Sequence, residues 1–247
     1  MARMLAAWVL FFWGGAVLGG AAEIAGQAEM GKKMADGDGK ILVAVDAGHQ
    51  QAGNPEKEPV GPGATEMKAK VSPGTRGAAT GRPEYVLNLE LALRLRDELR
   101  KRGYAVLMTR ETHDVNLSNR ERAEMANAAR AAAFIRIHAD GSEKEAENGA
   151  TTLCQTPKNP YNARLYPESK KLSLCVLEKM TATAGCKKRG VWETDTMSGI
   201  NWCQVPVTIV EVGFMTNRAE DEKLATPEYQ AKIVSGIADG VDAFFWK

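Results

Sequence analysis

A chain of 247 residues with 44% apolar and 26% charged side chains has the composition of an ordinary globular protein, and its length suits one sizeable domain or two small ones. Its 32 basic and 31 acidic residues leave a net charge of +1, and neither sign dominates any long stretch. That balance excludes the basic footprint of a nucleic-acid-binding protein and says little about substrate.

The N-terminus is the first informative segment. Arg3 is followed by an uncharged apolar stretch over 4–22, which ends in the small residues Gly19 to Ala22 before Glu23. Residues 1–22 read as a secretory signal peptide. An uncleaved anchor is the alternative, because the stretch approaches the roughly 20 apolar residues that span a bilayer. In both readings the rest of the chain lies outside the cytoplasm, and membrane association can come only through residues 4–22. Residues 23–39 are polar and glycine-containing and read as a linker. Residues 40–247 then read as one unit.

Within that unit, "ILVAVD" (41–46) is a continuous apolar run after a glycine turn, as in a strand buried on both faces. Residues 50–83 are rich in Gly, Pro and Thr without a sustained period and read as a long loop. A helix follows, with Pro83 at its start, Glu84 in its first turn and Gly103 at its C-terminal end. "YAVLMTR" (104–110) is a predicted strand, and "SNRE" (118–121) is a capping box that opens a helix to Arg130. "AAFIRIH" (132–138) is a strand; a further strand is expected near 150–155 and a helix over about 168–184. "VPVTIVEVGF" (205–214) is a strand, and a last helix is expected over about 227–245. Strands alternating with helices predict an α/β fold: a single domain with a mixed, mostly parallel sheet flanked by helices on both faces. Cys154, Cys175, Cys186 and Cys203 show no CxxC spacing, and buried thiols and disulfides are both compatible with their placement.

In open α/β sheets, ligands bind beyond the carboxyl ends of the strands. His49, His138 and Glu211 all fall at or near such ends, and Glu84 opens the helix after the long loop. Two histidines and a carboxylate are a catalytic zinc set, with a second carboxylate free to move protons. Each residue also has a simpler reading alone: a strand-end histidine is often structural, and Glu84 suits the positive end of a helix. Glu211 resists that treatment, since a carboxylate within "VTIVEVGF" is costly to bury unpaired. His113, in "ETHDVN", reads as a surface-loop residue.

Four segments in order, "VAVDAGHQ", "EYVLNLELALRLRDELRKRGYAVLMTR", "NRERAEMANAARAAAFIRIHADGS" and "VTIVEVGFMTNRAEDEKL", resemble the motifs of the zinc-dependent N-acetylmuramoyl-L-alanine amidases, the amidase-3 family. The resemblance covers about residues 41–245. It implies hydrolysis of the amide between N-acetylmuramic acid and L-alanine in bacterial peptidoglycan, with one Zn2+ per chain. Carried over by position, the ligands fall on His49, Glu84 and His138 and the catalytic glutamate on Glu211. The implied partner is a glycan strand with its stem peptide, and the protein is expected to be an exported, cell-wall-associated monomer, periplasmic where the source has an outer membrane. Three positions depart from the family's usual residues: Ala47 replaces Pro, Gln50-Gln51 replace a Gly pair, and Arg136 stands where Ser is frequent. The alternatives are a zinc hydrolase of another cell-wall amide and a metal-free homologue that binds peptidoglycan or regulates another enzyme. In "GCKKRGVWETDTMSGINWC", Arg189, Trp192 and Asn201 are candidate groove residues contacting sugar or peptide, or else members of a loop packed by its tryptophans. Asp46 is a candidate partner that orients a ligand histidine, or simply closes the turn after its strand.

Overall fold

The computed structural model describes residues 39–246; the expected signal peptide (1–22) and linker residues 23–38 lie outside the described residues. In chain order the strands are β1 Leu42–Ala47, β2 Asn54–Pro59, β3 Met67–Val71, β4 Ala105–Met108, β5 Ala133–Asp140, β6 Ala150–Cys154, β7 Lys188–Glu193 and β8 Val207–Phe214. The helices are α1 Glu84–Lys101, α2 Asn119–Ala128, α3 Tyr166–Ala184, α4 Ser198–Asn201, α5 Arg218–Leu224 and α6 Pro227–Trp246. Six strands form one sheet in the order β4-β1-β5-β8-β6-β7, while β2 and β3 form a separate hairpin. The pairs β1–β4, β1–β5, β5–β8 and β6–β7 are parallel, and β6 runs antiparallel to β8.

The alternation of side chains along β1 explains the two layers of core. Val43, Val45 and Ala47 pack with Leu91 and Leu95 of α1, Val176 and Met180 of α3, and Ile237 and Val241 of α6. Ala44 faces the other way, into a smaller cluster with Ala123 and Ala126 of α2, Phe134, Ile200 and Ile209. Helices therefore cover both faces, as the strand–helix alternation predicts. The capping box of α2 is present: Ser118 Oγ accepts from Glu121 N (3.1 Å) and Glu121 Oε2 from Ser118 N (2.7 Å).

Three strands fall where the sequence reads as irregular. The long loop contains the β2–β3 hairpin, whose strands "NPEKEP" and "MKAKV" are too polar to register as strands. Tertiary bonds hold it: Trp202 Nε1 donates to Pro59 O (2.9 Å), Asn201 Nδ2 to Val60 O (3.0 Å) and Lys68 Nζ to Thr196 O (2.6 Å). The charged stretch "KRGVWE" forms β7, an edge strand that needs only one neighbour and tolerates exposed charge. None of the four cysteines is in a disulfide, and Cys154 and Cys203 are buried. No helix among the described residues is long and apolar enough to cross a membrane.

Candidate metal centre

Because β1, β5 and β8 are neighbours running in the same direction, their carboxyl ends lie side by side, and His138 and Glu211 are direct register partners. Residues pointing to the α2 face form successive rows. Asp46 pairs with Arg136 across β1 and β5, and one step further on His138 meets Glu211. Beyond the end of β1, Gly48 continues the ladder by donating its N–H to Ile137 O (2.9 Å).

His49, the next residue, is turned into the left-handed region at φ 58°, which costs a non-glycine residue on the order of 1 kcal/mol. Two buried arginines hold the carbonyls of this turn. Arg122 donates to Ala47 O (2.8 Å) and His49 O (3.1 Å), and Arg110 donates to Ala47 O (2.8 Å) and Gly48 O (3.1 Å). The turn delivers the His49 ring to Glu84 at the start of α1: Nε2 lies 3.1 Å from Oε1. His138 Nδ1 lies 3.3 Å from the same oxygen and 3.2 Å from His49 Nε2. One ligand atom from each of the three side chains falls within 4.8 Å of the others, an arrangement able to hold a metal ion.

A surrounding set of bonds fixes each group. His49 Nδ1 is 2.8 Å from Ser72 O; a carbonyl can only accept, so Nδ1 carries a proton and Nε2 is the nitrogen that faces the cluster. Glu84 Oε2 accepts from Thr75 N (2.9 Å), and Oε1 accepts from Asn88 Nδ2 (3.0 Å) and Ala139 N (3.2 Å). Burial alone would raise the proton affinity of Glu84, but its bonds to His138 and His49 hold the carboxyl well below the usual range. Burial pushes His138 down to about 4, so its ring is neutral at pH 7. An ionised carboxylate and a neutral imidazole are the states a metal requires of such ligands.

Glu211 stands apart from this bonded set. Its Oε2 is buried without a hydrogen-bond partner among the described residues. Burial, followed by the nearby charges of Glu84 and Asp140, pushes its carboxyl well above the ordinary value. A buried acid whose proton affinity is raised in this way is a candidate general acid or base. Three cavities share it. One of about 500 Å³ lies over His49, Glu84 and His138. One of about 680 Å³ runs past Lys144, Arg189 and Trp192, and one of about 220 Å³ lies towards Arg136 and Gly199.

The structure thus brings His49, Glu84, His138 and Glu211 to one place. Arg189 and Trp192 line the adjoining cleft, where Trp192 is 57% exposed. Arg189 is engaged there by Glu147 and the Asn148 carbonyl and lies over the Phe214 ring. Asn201 does not reach the groove. It is 1% exposed and its amide is spent on Val60 O, Asp195 O and Asn159 Nδ2, because it ties the β2–β3 hairpin to the body. Asp46 touches no histidine. Its Oδ1 accepts from Arg122 Nη1 (2.7 Å) and Thr109 Oγ1, and its Oδ2 from Arg136 Nε (3.0 Å). Against the upward push of burial, these two arginines hold its carboxyl far below the ordinary range. Asp46 therefore acts on the site at one remove, by anchoring the arginine that holds the His49 turn. Sequence reading passed over Arg110 and Arg122, and noted Arg136 only as a departure from the family's usual Ser, a charge inside the apolar strand "AAFIRIH".

Comparison with known proteins agrees with this geometry. The profile of the family described as N-acetylmuramoyl-L-alanine amidase matches residues 43–243. The N-acetylmuramoyl-L-alanine amidase LytC of Bacillus subtilis is 30% identical over 162 residues, covering 66% of this chain but only 31% of LytC, so the chain spans about a third of that relative. An N-acetylmuramoyl-L-alanine amidase of Mycobacterium tuberculosis is 26% identical over 213 residues, covering 83% of this chain and 86% of the relative. Among solved structures, the amidase Ami1 of Mycobacterium smegmatis superposes with a TM-score of 0.76 at 27% identity, covering 86% of this chain and 98% of that one.

Proposed function

The chain belongs to the N-acetylmuramoyl-L-alanine amidase family, and from that premise we propose that residues 40–247 are a zinc-dependent catalytic domain that hydrolyses the amide between the lactyl group of N-acetylmuramic acid and L-alanine in peptidoglycan. The observation that carries the reading is the His49–Glu84–His138 cluster beside the buried, unpartnered carboxyl of Glu211.

The donor set fits the ion. Zinc bonds of about 2.0–2.1 Å to nitrogen and oxygen in tetrahedral geometry require ligand atoms about 3.3 Å apart. The three separations here are 3.1, 3.2 and 3.3 Å. His49, Glu84 and His138 would hold the metal, and zinc so held lowers the pKa of a bound water to about 7 and polarises a carbonyl.

The remaining chemistry falls to the chain's own groups. Glu211 Oε2, with no competing hydrogen bond, takes a proton from the attacking water and passes it to the departing amide nitrogen, which leaves as the amine of L-alanine. Its raised proton affinity suits a group that must take a proton from water and then release it. Ser72, Thr75, Asn88 and the Ala139 N–H fix His49 and Glu84, so little reorganisation is needed when substrate arrives. The cleft along Lys144 and Trp192 is wide enough for sugar, and the exposed indole offers a face for a pyranose ring to stack on. Residues 1–22 would direct the chain out of the cytoplasm, where its partner is the glycan strand with attached stem peptides, on which it would act as a monomer.

The reading is tested with purified protein and sacculi. Wild-type protein should contain about one zinc per chain, release stem peptides, lose that activity to a chelator and regain it with added zinc. Full activity after the metal is removed would contradict it.

A further inference from the structure

The cavity of about 220 Å³ beside the cluster is lined by His49, His138, Glu211, Arg136, Ser198 and Gly199 among others. Arg136 is the unusual member: it is 2% exposed, yet only part of its guanidinium is spent. Nε donates to Asp46 Oδ2 (3.0 Å) and Nη2 to Asn119 Oδ1 (2.7 Å). Nη1 has no acceptor among the described residues. It lies against Gly199, on the cavity wall, so close that a Cβ there would sit 1.5 Å away. Asp46 is shared between two buried guanidiniums, those of Arg122 and Arg136. Glu211 lines the same cavity, but no hydrogen bond joins it to Arg136.

A buried guanidinium with a free N–H face, beside the reacting centre and in a cavity of this size, is a seat for a carboxylate. Resting on the amidase reading, the two arms of the site divide the substrate by size. The wide cleft with exposed Trp192 suits the glycan, which leaves the small cavity for the peptide. The stem's second residue is an acid joined through its side chain, so its α-carboxyl is either free or amidated. We propose that Arg136 Nη1 binds this α-carboxylate, one residue beyond the scissile amide, and makes the protein selective for stems in which it is free. Arg136 is then a substrate-binding residue rather than merely a neutraliser of Asp46.

The test compares two muramoyl-tripeptides that differ only at this group, carboxylate or carboxamide. Wild-type protein should cleave the free acid with kcat/KM roughly 10- to 100-fold higher, the difference residing mainly in KM. Arg136→Gln, and separately Gly199→Ala, whose methyl group would displace Nη1, should bring that ratio close to one. Equal kcat/KM on the two substrates in the wild type overturns the assignment, and that comparison needs no variant to fold. A preference that persists undiminished in folded Arg136→Gln also overturns it. Cleavage of neither substrate would instead strike at the amidase reading, and this inference would fall with it.

Discussion

Glu211→Gln should lower peptidoglycan hydrolysis by roughly 10²- to 10⁴-fold, the range for loss of a general base, while zinc content stays at the wild-type level. The amide keeps the shape of the carboxyl but cannot take a proton, and Glu211 is not one of the three clustered groups. The variant also separates chemistry from folding. Burial, then Glu84 and Asp140, raise the folded-state affinity of Glu211 for its proton above the unfolded value. The folded protein therefore binds more protons than the unfolded chain, and stability falls as pH rises from about 4.5 through the raised value. Gln carries no such penalty, so at pH 7 and above the variant should unfold at the same temperature as wild type or higher. In the wild type, kcat/KM should rise with pH along an acidic limb above the ordinary carboxylate range, because the base works only when deprotonated. A variant within tenfold of wild-type activity would show that another group takes the proton. A drop in its unfolding temperature would make Glu211 a structural residue instead.

The second large effect is expected from Gly48→Ala, a change of one methyl group. A Cβ on Gly48 would lie 2.2 Å from His138 Cε1 and 2.3 Å from Nε2, far inside van der Waals contact. The ring has nowhere to retreat without losing the cluster, since its Nδ1 faces Glu84 Oε1 and His49 Nε2. The main chain is held as well, by Gly48 N to Ile137 O and by Asn88 and Arg110 on Gly48 O. Zinc affinity should fall at least about 10- to 100-fold, as it does when the groups that orient a ligand are disturbed, and activity should fall with it. Competition with a metallochromic chelator measures the first and peptide release the second. Wild-type affinity in this variant would mean that His138 does not hold the ion in the observed pose.

What the sequence revealed about this protein follows the range over which each signal acts. β1, β5 and β8 are apolar runs buried on both faces, so their identity is written locally, and parallel neighbours place His49, His138 and Glu211 at one edge. The capping box of α2 is equally local. Asp46 was not legible in the same way. Whether it meets a histidine or an arginine depends on the register between β1 and β5, which pairs it with a residue 90 positions away. The β2–β3 hairpin and β7 lack an apolar period because edge and surface strands bury little, and their bonds come from distant segments. Asn201 shows the cost of reading polarity alone: a polar side chain in an irregular stretch looks like a ligand contact, yet a buried one must spend its amide on the protein itself.

The most direct test of the account is the mass of the products. Purified residues 40–247, given intact sacculi, should release free stem peptides with an unblocked L-alanine amine and leave glycan strands whose muramic acids end in a free lactyl carboxylate. Intact strands that still carry every stem peptide, or fragments cut within the peptide or the glycan, would contradict the assignment of this site to the muramoyl–alanine amide.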